Sequence, residues 1–223
     1  MLKIVKIYQH SHLATIMILL ITFSLQNAAA SDARLYFTVD EIAQWQHKTF
    51  KGDTHYSVTD VNNKKAIVAN SAASASALIN KTTIDLDATP YLNWTWQVEQ
   101  LPNTTSDDNS KDGDDYAARV YVVFKTGGLF FNTASLSYVW ANKLQQGQYW
   151  PNAYTSKVTI FAIESSSNHR GQWRSYKRNV AEDIKLYTGN EVSSLEAIAI
   201  MTDSDNSKTH AKAYYRDVWF SAE

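Results

Sequence analysis

Asp112-Gly113-Asp114-Asp115-Tyr116-Ala117-Ala118-Arg119-Val120-Tyr121-Val122-Val123-Phe124 is a knot of carboxylates that runs into a strand. Strand side chains alternate between faces with period two. This pattern puts Tyr116, Ala118, Val120, Val122 and Phe124 on one face and Asp115, Arg119, Tyr121 and Val123 on the other. The first face suits a core. The second combines an acid and a guanidinium four residues apart. That combination suits either a structural ion pair or a site for a polar ligand.

Outward from this segment the chain continues as short apolar–polar alternations separated by polar turns. Strands are expected over Trp45–Phe50, His55–Asp60, Lys65–Asn70, Ala75–Ile84, Tyr91–Val98, Tyr116–Phe124, Leu136–Trp140, Val158–Ile163, Trp173–Asn179, Ala197–Asp203 and Ala211–Ser221. Leu92, Trp94, Trp96 and Val98 alternate with Asn93, Thr95 and Gln97; Tyr215, Asp217 and Trp219 alternate with Tyr214, Arg216, Val218 and Phe220. Many short strands with turn signals predict an all-β fold. The expectation is a two-sheet β-sandwich of jelly-roll, galactose-binding-like type with one or two short helices. One helix is expected within Val39–Gln46. A firmer one follows Asn179, a capping residue with Glu182 at N3, and Gly189 ends it.

The first thirty residues read as a signal peptide. Lys3 and Lys6 precede an apolar run from Leu13 to Leu25, and Asn27-Ala28-Ala29-Ala30 supplies small residues at a cleavage site. The protein is expected to be periplasmic or secreted, with residues 31–223 forming one sandwich domain and no membrane span left after cleavage. Those 193 residues would carry nineteen basic and twenty-two acidic side chains, a balance of −3. That balance argues against nucleic acid as a partner, which needs a basic face. There is no cysteine, so packing must supply the stability that disulfides supply in many exported proteins. Seven Trp, thirteen Tyr and eight Phe are abundant; some belong to the core, and any excess beyond it suits a surface that stacks on sugars or other flat ligands.

Three constellations are candidates for chemistry. Asp114, Asp115, Arg119 and Tyr121 form the first. The second is Met201-Thr202-Asp203-Ser204-Asp205-Asn206, where alternating oxygens at Asp203 and Asp205 suit a hard cation such as calcium, sugar hydroxyls, or simply an Asx-rich turn. The third is Tyr138 with Trp140, a stacking platform if their face is open and core if it is closed. Templates for nucleophilic, zinc-dependent and phosphate-loop chemistry are missing from the sequence. A two-carboxylate glycosidase needs only acids at the right separation.

The chain resembles an exported bacterial family catalogued as domain of unknown function 3047. The resemblance rests on Phe50-Lys51-Gly52-Asp53-Thr54-His55-Tyr56, Leu92-Asn93-Trp94-Thr95-Trp96, Asp114 to Val122, Tyr138-Val139-Trp140, Arg178 with Asp183, and Met201 to Asn206. It covers nearly all of the chain after the signal peptide and implies no particular activity. Ala213 to Phe220 is also similar to the last strand of jelly-roll carbohydrate-binding modules. The favoured expectation is a glycan-binding or polar-ligand-binding protein using Asp114, Asp115, Arg119, Tyr121, Tyr138, Trp140, Asp203 and Asp205. The alternatives are a polysaccharide hydrolase or lyase with paired Asp residues, and a non-catalytic envelope protein.

Overall fold

A computed structural model describes residues 33–127 and 132–223; the expected signal peptide lies outside the described residues. The elements run β1 (Arg34–Phe37), α1 (Val39–Ile42), β2 (Gln46–Lys51), β3 (His55–Val61), β4 (Lys64–Ala72), β5 (Ala75–Asn80), β6 (Ile84–Asp85), β7 (Tyr91–Gln100), β8 (Arg119–Thr126), β9 (Asn132–Ala141), β10 (Tyr149–Pro151), β11 (Val158–Ser165), β12 (Arg174–Asn179), α2 (Val180–Thr188), β13 (Ser194–Leu195), β14 (Ala197–Asp203) and β15 (His210–Ser221). They build an all-β sandwich of jelly-roll type. One sheet has the order β12-β7-β15-β4-β3, with β1 also on β15; the other has the order β10-β11-β9-β8-β14-β5-β2. Ladders are antiparallel except β9 with β11. Among the described residues no helix is long and apolar enough to cross a membrane.

Local chemistry explains the connections. Asn62 and Asn63, both at positive φ, form the two-residue turn between β3 and β4. This left-handed pair matches the twist of a tight hairpin, and Asn tolerates it. Thr38 and Glu41 cap α1 reciprocally, and this helix is a single turn. Trp45, expected to open a strand, instead packs edge-on against Phe37, with ring centroids 5.3 Å apart. The expected strand Ala75–Ile84 is split, because β5 ends at Asn80 and Ile84 pairs with Leu195 of β13. Asn179 caps α2 by accepting from the Glu182 N–H, and Gly189 closes it in the left-handed conformation at φ 74°.

The core lies between the sheets. Leu92, Trp94, Trp96 and Val98 from β7 meet Val120, Val122 and Phe124 from β8 and Leu136, Tyr138 and Trp140 from β9. Trp94 stacks at a tilt on Tyr138 with centroids 5.2 Å apart, and Trp96 lies 6.3 Å from Trp140. Tyr138 and Trp140 are 0% exposed. They are therefore core residues, a correction to the expected stacking platform. Their face also carries Leu136, and an apolar face of that size is buried against the opposite sheet.

Two ladder irregularities re-aim aromatic side chains. Thr49 pairs with Ser76 and Lys51 with Ala75, so Phe50 is an extra residue in β2. Arg216 pairs with Thr95 and Trp219 with Asn93, so β15 advances three residues where β7 advances two. A bulge of this kind shifts the phase of alternation. Tyr215, Val218 and Phe220 accordingly point inward, fully buried, while Trp219 lies on the outer face. The simple alternation expected for this strand, with Tyr215 and Trp219 on one side, holds only up to the bulge.

Candidate functional site

The strand that carries Arg119 begins at that residue, not at Tyr116. Residues 114–118 form an irregular link after a 3₁₀ turn at Lys111–Gly113, with Asp114 at φ −78° and ψ 48°, so period two does not carry through them. Ala118 joins the main core, whereas Tyr116 packs with Val139, Ala141 and Trp150 on the other side of the sheet. The loop before it is tied down by Asp108, which accepts from the backbone N–H groups of Asn142, Lys143 and Leu144. Gly113 is required here. A Cβ at this position would stand 2.2 Å from the Asp107 carbonyl oxygen.

Arg119 is 2% exposed and spends every terminal nitrogen on a partner. Its Nε donates to Asp203 Oδ1 at 2.9 Å and its Nη2 to Asp203 Oδ2 at 2.5 Å. Nη2 also donates to the Asp114 carbonyl at 2.6 Å, and Nη1 donates to the Tyr121 hydroxyl at 3.0 Å. The guanidinium lies 4.2 Å from the Tyr116 ring centroid. The expected Asp115–Arg119 pair does not form. Asp115 instead accepts the backbone N–H groups of Asn206 and Ser207 at 3.1 and 2.6 Å. It thereby ties the carboxylate loop to the turn after β14. The two strand ends do meet, since Asp115, Asp203 and Asp205 have carboxylate oxygens within 4.8 Å of one another.

These three carboxylates are a group that could hold a metal ion, the cation reading of Asp203 and Asp205, and two of them also face basic side chains. Both Asp203 oxygens face Arg119, and Oδ1 also accepts the Tyr116 N–H at 3.1 Å. Asp205 faces Lys51 Nζ at 3.3 Å.

Burial pushes the carboxyl of Asp203 up to about 8, against the pull of Arg119. Burial likewise raises Asp114. For Arg119, burial opposes the charge, but Asp203, Tyr121 and Asp114 outweigh it and hold the group well above its ordinary value. Two buried carboxyls, Asp203 and Asp114, against one buried guanidinium leave one negative charge in excess, which favours one proton held between them. A carboxyl whose pKa rises on folding stabilises the fold at pH below its ordinary value, and the contribution is lost as pH rises through about 8. Melting temperature is expected to fall between about pH 4 and about pH 8, and Asp203→Asn is expected to flatten that slope. Equal slopes in the two proteins would contradict this assignment.

Above the cluster lies a cleft of about 520 Å³ lined by Arg119, Tyr121, Asp114, Asp203, Asp205 and Asn206, together with Phe50, Lys51, Asn152 and Tyr154. It opens on the outer face of the larger sheet. There Tyr121 is flanked in register by Ala199 and Ser137. Phe50 is 59% exposed and Tyr154 58%. Phe50 is the bulged residue of edge strand β2. Tyr154 stands in the loop after β10, at the opposite edge of the sheet. Asn152 Oδ1 holds that loop by accepting from the N–H groups of Tyr154 and Thr155, while its Nδ2 donates to Asp114 Oδ2 at 2.6 Å. The Tyr154 hydroxyl donates to the Lys111 carbonyl at 3.2 Å and accepts from Asn206 Nδ2 at 2.8 Å.

Of the residues expected at the site, Asp114, Arg119, Tyr121, Asp203 and Asp205 line the cleft and Asp115 braces it from behind. Phe50, Lys51, Asn152 and Tyr154 are additions. Their sequence signals were a lone Phe in a polar run and a Tyr two residues after a turn-forming Asn. Ser76, His47 and Asp53 are also arranged in the order of a nucleophile, a base and an orienting acid. Ser76 Oγ lies 3.0 Å from His47 Nε2. Yet Ser76 is fully buried and accepts the Thr54 N–H, and Asp53 stands 3.8 Å from His47, beyond hydrogen-bond reach. The trio joins β2, the loop after it and β5 and presents no accessible nucleophile.

No curated protein matches the chain. Several solved structures are similar to it at low identity. The Cel12A cellulase variant derived from Rhodothermus marinus is 9% identical with a TM-score of 0.44, over 86% of this chain and 100% of its own. The xylan-binding module CBM86 from Roseburia intestinalis is 14% identical with a TM-score of 0.35, over 84% and 94%. The active domain of the bacteriophage CBA120 tailspike protein 4 is 10% identical with a TM-score of 0.39; 81% of this chain is covered, but it spans only 20% of that one. The model of the family described as protein of unknown function, DUF3047, matches residues 43–219, and the chain belongs to that family.

Proposed function

We propose that the protein is exported and binds a glycan in the cleft over Tyr121. The observation that carries this reading is the pair of exposed rings, Phe50 and Tyr154, beside a polar floor. A sugar has flat C–H faces and a rim of hydroxyls. Aromatic rings stack on the first, and the Asp, Asn and Lys groups around them can exchange hydrogen bonds with the second. A bulge on an edge strand re-aims a side chain, which accounts for a Phe held in solvent. The Tyr154 hydroxyl bonds set that ring before any ligand arrives, and pre-organisation lowers the entropic cost of binding. The cleft volume lies within the range of small-ligand sites, about 300–1,000 Å³.

The buried Arg119–Asp203–Asp114 group acts here as the rigid floor and is not a direct ligand. The same commitment weakens the hydrolase or lyase reading, since Asp203 and Asp114 are held by Arg119 and Asn152 and Asp205 by Lys51. Calorimetric titration with soluble oligosaccharides tests the binding reading. Phe50→Ala and Tyr154→Ala are each expected to weaken association by about tenfold, the effect of losing roughly 1.4 kcal/mol of contact, with melting temperatures unchanged. Undiminished affinity in both variants would sink it.

A further inference from the structure

The bulge in β15 does for Trp219 what the bulge in β2 does for Phe50. Without the extra residue, Trp219 would fall on the inward face with Tyr215, where a core would take it. With it, Trp219 lies on the outer face of the smaller sheet beside Asp217. Asp217 adopts a left-handed backbone, φ 53°, a conformation that side chains other than Gly, Asn and Asp seldom take. A bulge that diverts a large aromatic ring away from the core re-aims it for use at the surface.

The surroundings are those of a built site. A trough of about 430 Å³ runs over Asn93, Thr95 and Ser175, bounded by Lys177, Asp217 and Trp219. Thr95 Oγ1 and Ser175 Oγ lie 2.8 Å apart across the floor, so this pair shares one hydroxyl proton and leaves the other to donate. The Asp217 carboxylate is half exposed and lies 3.2 Å from Arg216 Nε. The Arg34 guanidinium lies over one face of the Trp219 ring, 5.0 Å from its centroid. Lys177 and Asp217 bracket short hydroxyl and amide groups, a set that can exchange hydrogen bonds with sugar hydroxyls.

We infer that this trough is a second saccharide site, for a neutral sugar with a flat ring face, on the sheet opposite the cleft. The ring would stack on Trp219, and Asp217, Asn93 and the Thr95–Ser175 pair would take its hydroxyls. The inference shares no residue with the cleft and stands or falls separately from it.

The test is a ¹H–¹⁵N spectrum of the protein titrated with cellohexaose, xylohexaose and chitohexaose to about 10 mM, well above a millimolar Kd. The Trp219 indole signal is identified by its loss in Trp219→Phe. It is expected to move with at least one of these sugars, and to move equally in a Phe50→Ala, Tyr154→Ala protein. Asp217→Asn keeps a residue that tolerates the left-handed backbone and is expected to weaken that response about tenfold at unchanged melting temperature. An indole signal that stays still with all three sugars overturns the proposal. So does one that moves only while the cleft aromatics are present.

Discussion

Arg119→Ala is expected to destabilise the protein by about 3–5 kcal/mol, the usual cost of stranding one partner of a buried ion pair. The variant would leave Asp203 and Asp114 buried without their cation and the Tyr121 hydroxyl without its donor. It would also remove the guanidinium stacked on Tyr116. For a chain of this length the melting temperature should fall by roughly 10 °C. The companion variant Arg119→Met, Asp203→Leu separates charge from packing. Replacing both members of a buried pair by apolar groups is often neutral, so the double variant should be more stable than Arg119→Met alone. Asp114 and the orphaned Tyr116 N–H limit the recovery. A single variant that melts with the wild type would show that the pair does not hold the loop.

Trp140→Ala is the second large effect. The ring is fully buried beside Trp96, and its Nε1 donates to the Ser166 carbonyl at 2.8 Å. Deleting a buried Trp costs about 3–5 kcal/mol through lost transfer energy and the cavity left behind, and here a carbonyl also loses its donor. Chemical denaturation should show a lower midpoint. Tyr154→Ala, by contrast, should leave the midpoint where it was, because that ring is mostly in solvent. Equal midpoints for Trp140→Ala and wild type would mean that the ring belongs to a surface and not to the core.

The contrast between these two aromatics explains what could be read from the sequence. Alternation in β7 and β8 identified strands and their two faces, because each carries a continuous apolar set such as Leu92, Trp94, Trp96 and Val98. It does not say which face of a strand looks inward when both are rich in small or apolar residues. For β9, Leu136 beside Tyr138 and Trp140 was the informative neighbour, and it marks the inner face. Alternation also presumes an unbroken ladder. The bulges at Phe50 and Asp217 insert one residue each, and a one-residue slip exchanges the faces beyond it. No local signature announced them, since neither contains a glycine.

The site was legible in part for the same reason. Asp114, Arg119 and Asp203 stand at loop-to-strand junctions, and the convergence of two such junctions puts them together. Their pairing followed the tertiary path, so Arg119 found Asp203, 84 residues away, in place of Asp115 four residues away. Asp115 was drawn to backbone N–H groups of the turn after β14. The aromatic walls come from opposite sheet edges, and only the order of strands brings Phe50 and Tyr154 to one cleft.

Whether Phe50 and Tyr154 wall a glycan cleft is answered by calorimetric titration of the wild type and of the Phe50→Ala, Tyr154→Ala double variant with the same soluble oligosaccharides. The wild type is expected to bind saturably. The double variant is expected to lose about a hundredfold in affinity, the sum of two contacts of roughly 1.4 kcal/mol each, while melting at the wild-type temperature. Binding of equal strength in both proteins, or in neither, would contradict the glycan cleft.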